Sequence, residues 1–188
     1  MEDKRERIIY HLINFEQQQD ELEERPYMIF EDMAVVFDHL KKDGMSIDRI
    51  DHNCAMANGW TKEFLWENSK KNTSALLPVK IEPLHRTLIG HTEDEPIFFL
   101  SNQMQRYGAG VILYDDLLHD FSMKYGYNLY LLPTSIHEFM ILLDRGIYLE
   151  EDLLKALKDS NQNLSKEEFL SENIYYYDRM QKELISLF

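Results

Sequence analysis

One cysteine, Cys54, stands among 188 residues. It excludes an intramolecular disulfide and a four-thiolate zinc site, and it suits a reducing cytoplasm. Basic residues are also few: 20 Lys and Arg face 34 Asp and Glu, a formal charge of −14. A protein that grips nucleic acid by broad counter-charge needs the opposite balance, so only a local basic groove on an acidic body remains open. Long apolar runs are missing. The strongest, residues 97–100 and 139–143, fall far short of the ~20 residues of a membrane span. The charged start, residues 1–7, leads into no signal-peptide core, so export by that route is not expected. What is present is core-forming material, 44% hydrophobic and 12% aromatic residues, which excludes a disordered acidic tail. The length is near the ~150-residue scale of one domain, so 1–188 is expected as a single unit.

Residues 1–25 are expected to hold an N-terminal helix. Ile8, Ile9, Leu12 and Ile13 form a narrow apolar stripe, and Pro26 ends it. Such a stripe serves packing on a core, or docking of a partner. A sheet-containing core is expected over 26–188. Residues 27–37, rich in β-branched and aromatic side chains, read as a strand and 47–50 as a second, with Asp43-Gly44 in the turn between. Thr61 caps a helix that buries Phe64, Leu65 and Leu76 and closes at Pro78.

Residues 78–96 carry Pro78, Pro83, Pro96 and the acidic trio Glu93-Asp94-Glu95, and read as an irregular connector. Residues 97–100 and 108–113 read as the strands of a hairpin around a polar stretch. A helix follows from Asp115-Asp116 to Tyr125 and stops at Gly126. Then come a strand over 128–132, a turn at Pro133-Thr134, an apolar segment over 136–143, a helix over 149–159 and an aromatic strand over 174–177. The alternation with short links predicts an α+β single domain, with a mixed, largely antiparallel sheet and helices packed against it.

Two constellations carry candidate chemistry. In Ser135-Ile136-His137-Glu138, a strand would put Ser135 and His137 on one face and Glu138 on the other. A hydroxyl beside an imidazole that titrates near neutral pH suits proton transfer. A helix start would instead make Ser135 and Glu138 a capping box with a purely structural role. The second constellation is the polar stretch of Asn102, Gln103, Gln105, Arg106 and Tyr107 before Gly108-Ala109-Gly110. Arg106 suits a phosphate, Tyr107 suits a stacked base, and the small residues allow a ligand or another backbone to come close. The plain alternative is an ordinary hairpin turn.

Seven histidines are scattered without the spacing of a zinc site, and the acids at 93–95, 115–116 and 150–152 read as solvated. No metal or cofactor is expected. Neither a P-loop nor a Gly-x-Ser-x-Gly elbow is present.

Several segments occur together in a recognisable order: Tyr27 to Phe37, Asn58-Gly59-Trp60, Asn72-Thr73 with Leu77-Pro78, Ser101-Asn102 with Tyr107-Gly108-Ala109, residues 129–138, and Tyr177-Asp178-Arg179. In them the chain resembles an uncharacterised domain family common in Firmicutes and their conjugative mobile elements. The Leu-Pro-x-Ser-Ile-His-Glu segment is the most specific part, with Thr134 standing where Ser is expected.

A second, looser resemblance is to type II anti-CRISPR proteins. It implies an inhibitor of Cas9 that engages the Cas9–guide RNA complex and cuts the RNA as a ribonuclease. In that picture His137 transfers the proton, Arg106 steadies the phosphate, Tyr107 meets a nucleotide, and Ser135, Glu138 and Asn102 orient these groups. Two alternatives stand beside it: a non-enzymatic acidic binder that mimics nucleic acid in the Cas9 channel, and a mobile-element protein unrelated to Cas9.

Overall fold

In the computed structural model, which describes residues 4–84 and 97–188, the N-terminal segment is a strand. β1 (Ile8–Asn14) is buried along its whole length, because both of its faces are covered. Ile8, Tyr10 and Leu12 enter the main core, whereas Ile9 and Ile13 enter two smaller clusters on the opposite face. A strand covered on both sides loses its period-2 pattern, and here the remaining apolar run mimics a helical stripe. The helix expected over 1–25 is therefore corrected to this strand and a short α1 (Gln19–Glu24).

β1 lies against β3 (Met33–Leu40), whose other side carries β2 (Tyr27–Phe30) and β4 (Ile47–Arg49). The single strand expected over 27–37 is thus two, reversed at Glu31-Asp32 with Glu31 in the left-handed region (φ 53°). The outer edge of β1 meets α3 (Lys62–Leu76) instead of a further strand. Thr73 Oγ1 accepts from the Tyr10 N–H (3.0 Å), and Asn72 Nδ2 donates to the Ile8 carbonyl (3.0 Å). The helix supplies the hydrogen bonds of an absent neighbour, which blocks that edge to another chain. Its cap is the expected one, with Thr61 Oγ1 accepting from the Phe64 N–H. A seven-residue α2 (His52–Asn58), which the sequence reading passed over, precedes it.

The second sheet runs in the order β10-β9-β7-β8-β6-β5. Its strands are β5 (Val79–Pro83), β6 (Ile97–Asn102), β7 (Leu129–Ser135), β8 (Glu138–Leu143), β9 (Tyr175–Asp178) and β10 (Glu183–Ser186). Every pairing among the described residues is antiparallel. β5 falls inside the expected connector, while Glu93–Glu95 and Pro96 lie outside the described residues. The main core fills the space between the sheets, with Met33, Val35 and Phe37 facing Leu100, Leu131, Phe139 and Ile141. α4 (Leu117–Tyr125) joins that core through Leu118 and Phe121 and ends at Gly126 in the left-handed conformation. α5 (Glu150–Asn161) lays Leu153 and Leu157 on the back of the second sheet.

Two further expectations are corrected. Residues 108–113 form a 3-10 helix, because the Gly108 backbone runs too close to β6 and the β7–β8 turn for a strand with side chains. A Cβ on Gly108 would stand 2.6 Å from the His137 carbonyl oxygen and 2.7 Å from the Asn102 nitrogen. Pro133-Thr134 does not turn the chain but continues β7, and the reversal comes at Ile136-His137. Pro133 is tolerated there because β9 pairing has already ended at Leu131, so its missing N–H costs no ladder bond. The α+β expectation holds. Among the described residues, no helix is long and apolar enough to cross a membrane.

Candidate functional site

His11 on β1 and Asp38 on β3 share the sheet face turned away from the main core. In register, His11 sits opposite Val36 and Asp38 opposite Ile9, so the two form a diagonal pair. Their side chains close to 2.6 Å, His11 Nδ1 to Asp38 Oδ2. Arg25, which is fully buried just before β2, completes the group. One of its Nη atoms lies 2.8 Å from Asp38 Oδ1 and also donates to the Phe37 carbonyl, and the other lies 2.7 Å from Glu21. Burial alone would raise the Asp38 pKa, but the His11 and Arg25 charges and hydrogen bonds outweigh it and hold the carboxyl below its ordinary value.

This group forms one wall of a cleft of about 470 Å³, and two loops from the second sheet form the other. The first is the polar stretch after β6. Gln105 and Tyr107 there both take φ 53°, a conformation that costs a side-chain-bearing residue ~1–2 kcal/mol. That geometry places the Tyr107 ring 4.5 Å from the His11 ring and 5.7 Å from the His137 ring, centroid to centroid. Arg106 lies over the same Tyr107 ring at 5.0 Å.

The second loop is the β7–β8 tip. Its backbone is held from three sides: the Ala109 N–H donates to the Ile136 carbonyl, the Ile136 N–H to the Glu168 carbonyl, and Ser101 Oγ to the His137 carbonyl.

His137 therefore has a defined orientation. The Tyr107 N–H donates to its Nδ1 at 2.9 Å. An acceptor nitrogen carries no proton, so the neutral ring has its hydrogen on Nε2. Burial lowers the His137 pKa from 6.5; Glu168 opposes the change, and the Arg106 and His11 charges add to it. The ring is thus a neutral hydrogen-bond donor at Nε2.

His137, Arg106 and Tyr107 line the cleft together. Ser135, Glu138 and Asn102 do not line it. Ser135 Oγ accepts from the His137 N–H (3.0 Å), which makes it a support of the tip. Asn102 holds the Arg106 backbone, donating to its carbonyl (3.0 Å). Glu138 receives Thr134 Oγ1 at 3.3 Å; burial raises its pKa and that hydroxyl opposes the rise. Ser135 and Glu138 are paired across the tip, so neither the capping box nor the one-face strand reading applies. Gly108 lies against the His137 and Asn102 backbone and Gly110 against the Tyr10 ring, so these small residues serve close packing.

The sequence reading missed His11, Asp38 and Arg25. The signal was a polar interruption of each of two apolar runs, His11 in residues 8–13 and Asp38-His39 in residues 33–40. Among the described residues, no group of three or more His, Cys, Asp or Glu is placed to hold a metal ion.

The model of the DUF5688 family, a family of unknown function, matches residues 1–179. The chain belongs to that family. No curated protein and no solved structure matches it significantly. The family match takes in both walls of the cleft, from His11 on β1 to Glu168 before β9.

Proposed function

We propose that the cleft binds RNA and breaks one of its phosphodiester bonds, with His11 as the proton-transfer group. The observation that carries this reading is the 2.6 Å contact of His11 Nδ1 with the buried Asp38 carboxylate, in a cleft that also holds Arg106 and His137. A carboxylate on Nδ1 fixes the imidazole and leaves Nε2 as the atom that takes a proton. The 2′-hydroxyl proton goes to His11 Nε2 while O2′ bonds to phosphorus. The P–O5′ bond breaks, and the departing oxygen takes a proton from solvent. Arg106 offsets the charge that grows on the phosphate, and the Nε2–H of His137 donates to a phosphate oxygen. His137 moves from the proton-transfer role expected of it to that of a donor, because Tyr107 occupies its other nitrogen.

The target proposed from the resemblance to anti-CRISPR proteins is the guide RNA of a Cas9 complex, encountered in the cytoplasm, with a mobile element as the source of the chain. The test is an RNA gel with labelled guide RNA, free and bound to Cas9. Shortened RNA supports the reading, and intact RNA in both lanes removes the nuclease part.

A second reading has its own support in the charge of −14 and the exposed acids Glu150, Glu151 and Asp152 on the first turn of α5. Such a surface competes for the basic channel in which Cas9 holds nucleic acid. It predicts inhibition of Cas9 cleavage without RNA shortening, weakened by reversing those three charges and by added salt.

A further inference from the structure

The charges that line the cleft are not equivalent. Arg25 is ion-paired with Asp38 and Glu21 and donates to the Phe37 carbonyl. Arg49 lies 3.5 Å from Glu21 and 3.3 Å from Glu24. Among the described residues lining the cleft, Arg106 is the arginine with no carboxylate at ion-pair distance, and it is exposed. Glu167 and Glu168 line the same cleft; both are exposed, and neither has an ion-pair partner among the described residues. The Glu168 backbone is fixed to the tip by the Ile136 N–H at 2.9 Å, and its charge acts on His137. Carboxylates outnumber arginines among the lining residues by four to three. Among its described lining residues the cleft thus offers an anion one arginine without a carboxylate partner, Arg106, and the His137 donor, with a negative rim beyond them.

We infer that the cleft selects a singly charged phosphodiester and discriminates against doubly charged phosphates. The inference rests on the reading of the cleft as an RNA site and narrows its substrate. The phosphodiester within a strand, not a terminal phosphate or a di- or triphosphate, is the group recognised. Arg106 and His137 Nε2–H share the two non-bridging oxygens, which together carry one charge. A second charge on the same group gains no new cation and meets Glu167 and Glu168. In a solvent-screened cleft that repulsion amounts to a factor of about five in affinity. The effect runs against the usual ranking of phosphate ligands, in which more charge binds more tightly.

The experiment is a titration of the protein, labelled with 15N at histidine, at pH 8. The probes are thymidylyl-thymidine, thymidine 5′-monophosphate and acetate. The first has one diester charge and no 2′-hydroxyl, so it is not cleaved; the second is a dianion at this pH. The diester is expected to shift the His137 Nε2 resonance and saturate at a concentration about fivefold below the monoester, with acetate weaker than both. Arg106→Gln should remove diester binding, and Glu168→Gln should tighten the monoester more than the diester. Equal or tighter binding of the monoester, acetate as tight as the diester, or no response to any probe overturns the inference. Diester selectivity with intact RNA in the gel assay leaves this inference standing and removes the catalytic one. Cleaved RNA with no diester selectivity does the reverse.

Discussion

The main-chain N–H of Tyr107 donates to Nδ1 of His137 at 2.9 Å, and Tyr107 holds a left-handed backbone conformation (φ 53°) to do so. The loop after β6 and the β7–β8 tip are joined through one imidazole. The bond exists only while Nδ1 is unprotonated, which ties the loop after β6 to the charge of His137.

That bond predicts a pH response. The His137 pKa is lower in the fold than the ordinary 6.5, so the unfolded chain binds more protons in that range. Stability from this residue is present above pH 6.5 and is lost as the pH falls through the folded value below it. Denaturant melts between pH 8 and pH 5 should show the loss, and His137→Ala should flatten that part of the profile. Nitrogen-15 spectra at pH 8 should show the Nε2–H tautomer. An Nδ1–H tautomer would contradict the assignment.

The buried pair of Arg25 and Asp38 carries a larger stake. Asp38→Ala removes the buried one of the two carboxylates on the sealed Arg25 charge, leaving Glu21, and should cost about 3–5 kcal/mol in urea unfolding. Replacing both, Asp38→Leu with Arg25→Met, should recover part of that loss. Asp38, whose pKa is lowered from 3.8, adds stability present above that value and lost as the pH falls below it. A single-variant cost below about 1 kcal/mol would show that the charges are not held as described.

Gly108 tests the close approach of the two loops. Its substitution by Ala sets a Cβ 2.6 Å from the His137 carbonyl oxygen, an atom of a pinned backbone. The expected loss is about 1–3 kcal/mol, and Tyr107 and His137 should lose their mutual order in the spectrum. Gly146→Ala is the comparison, with φ 71° and open space around it. Its cost of about 1 kcal/mol should be pure backbone strain, with the His137 signal unchanged.

Much of the fold was legible where local chemistry decides it. The Thr61 cap, the Gly126 stop and the helix at 150–161 needed only neighbouring residues. β1 was not legible, because burial of both faces erased its alternation and left Ile8, Ile9, Leu12 and Ile13 at a helical spacing. The 3-10 helix at 108–113 and the tip at Ile136-His137 depend on how closely separate segments approach, which no local pattern encodes. The site divides the same way. His137, Arg106 and Tyr107 sit in polar stretches that stand out in the sequence, and they do meet. His11 and Asp38 are brought together by the register of β1 on β3, so each looked like a stray polar residue in an apolar run, and Arg25 looked like one more charge at the end of an acidic stretch.

Cleavage of single-stranded RNA by His11→Gln, set beside the unchanged chain, tests the central claim most directly. Glutamine keeps a polar side chain next to Asp38 but supplies no nitrogen base, and a thermal melt confirms that the variant is folded. The account predicts RNA shortening by the unchanged protein and a rate slower by about 100-fold or more for His11→Gln. Equal rates for the two proteins, or no shortening by either, would contradict it.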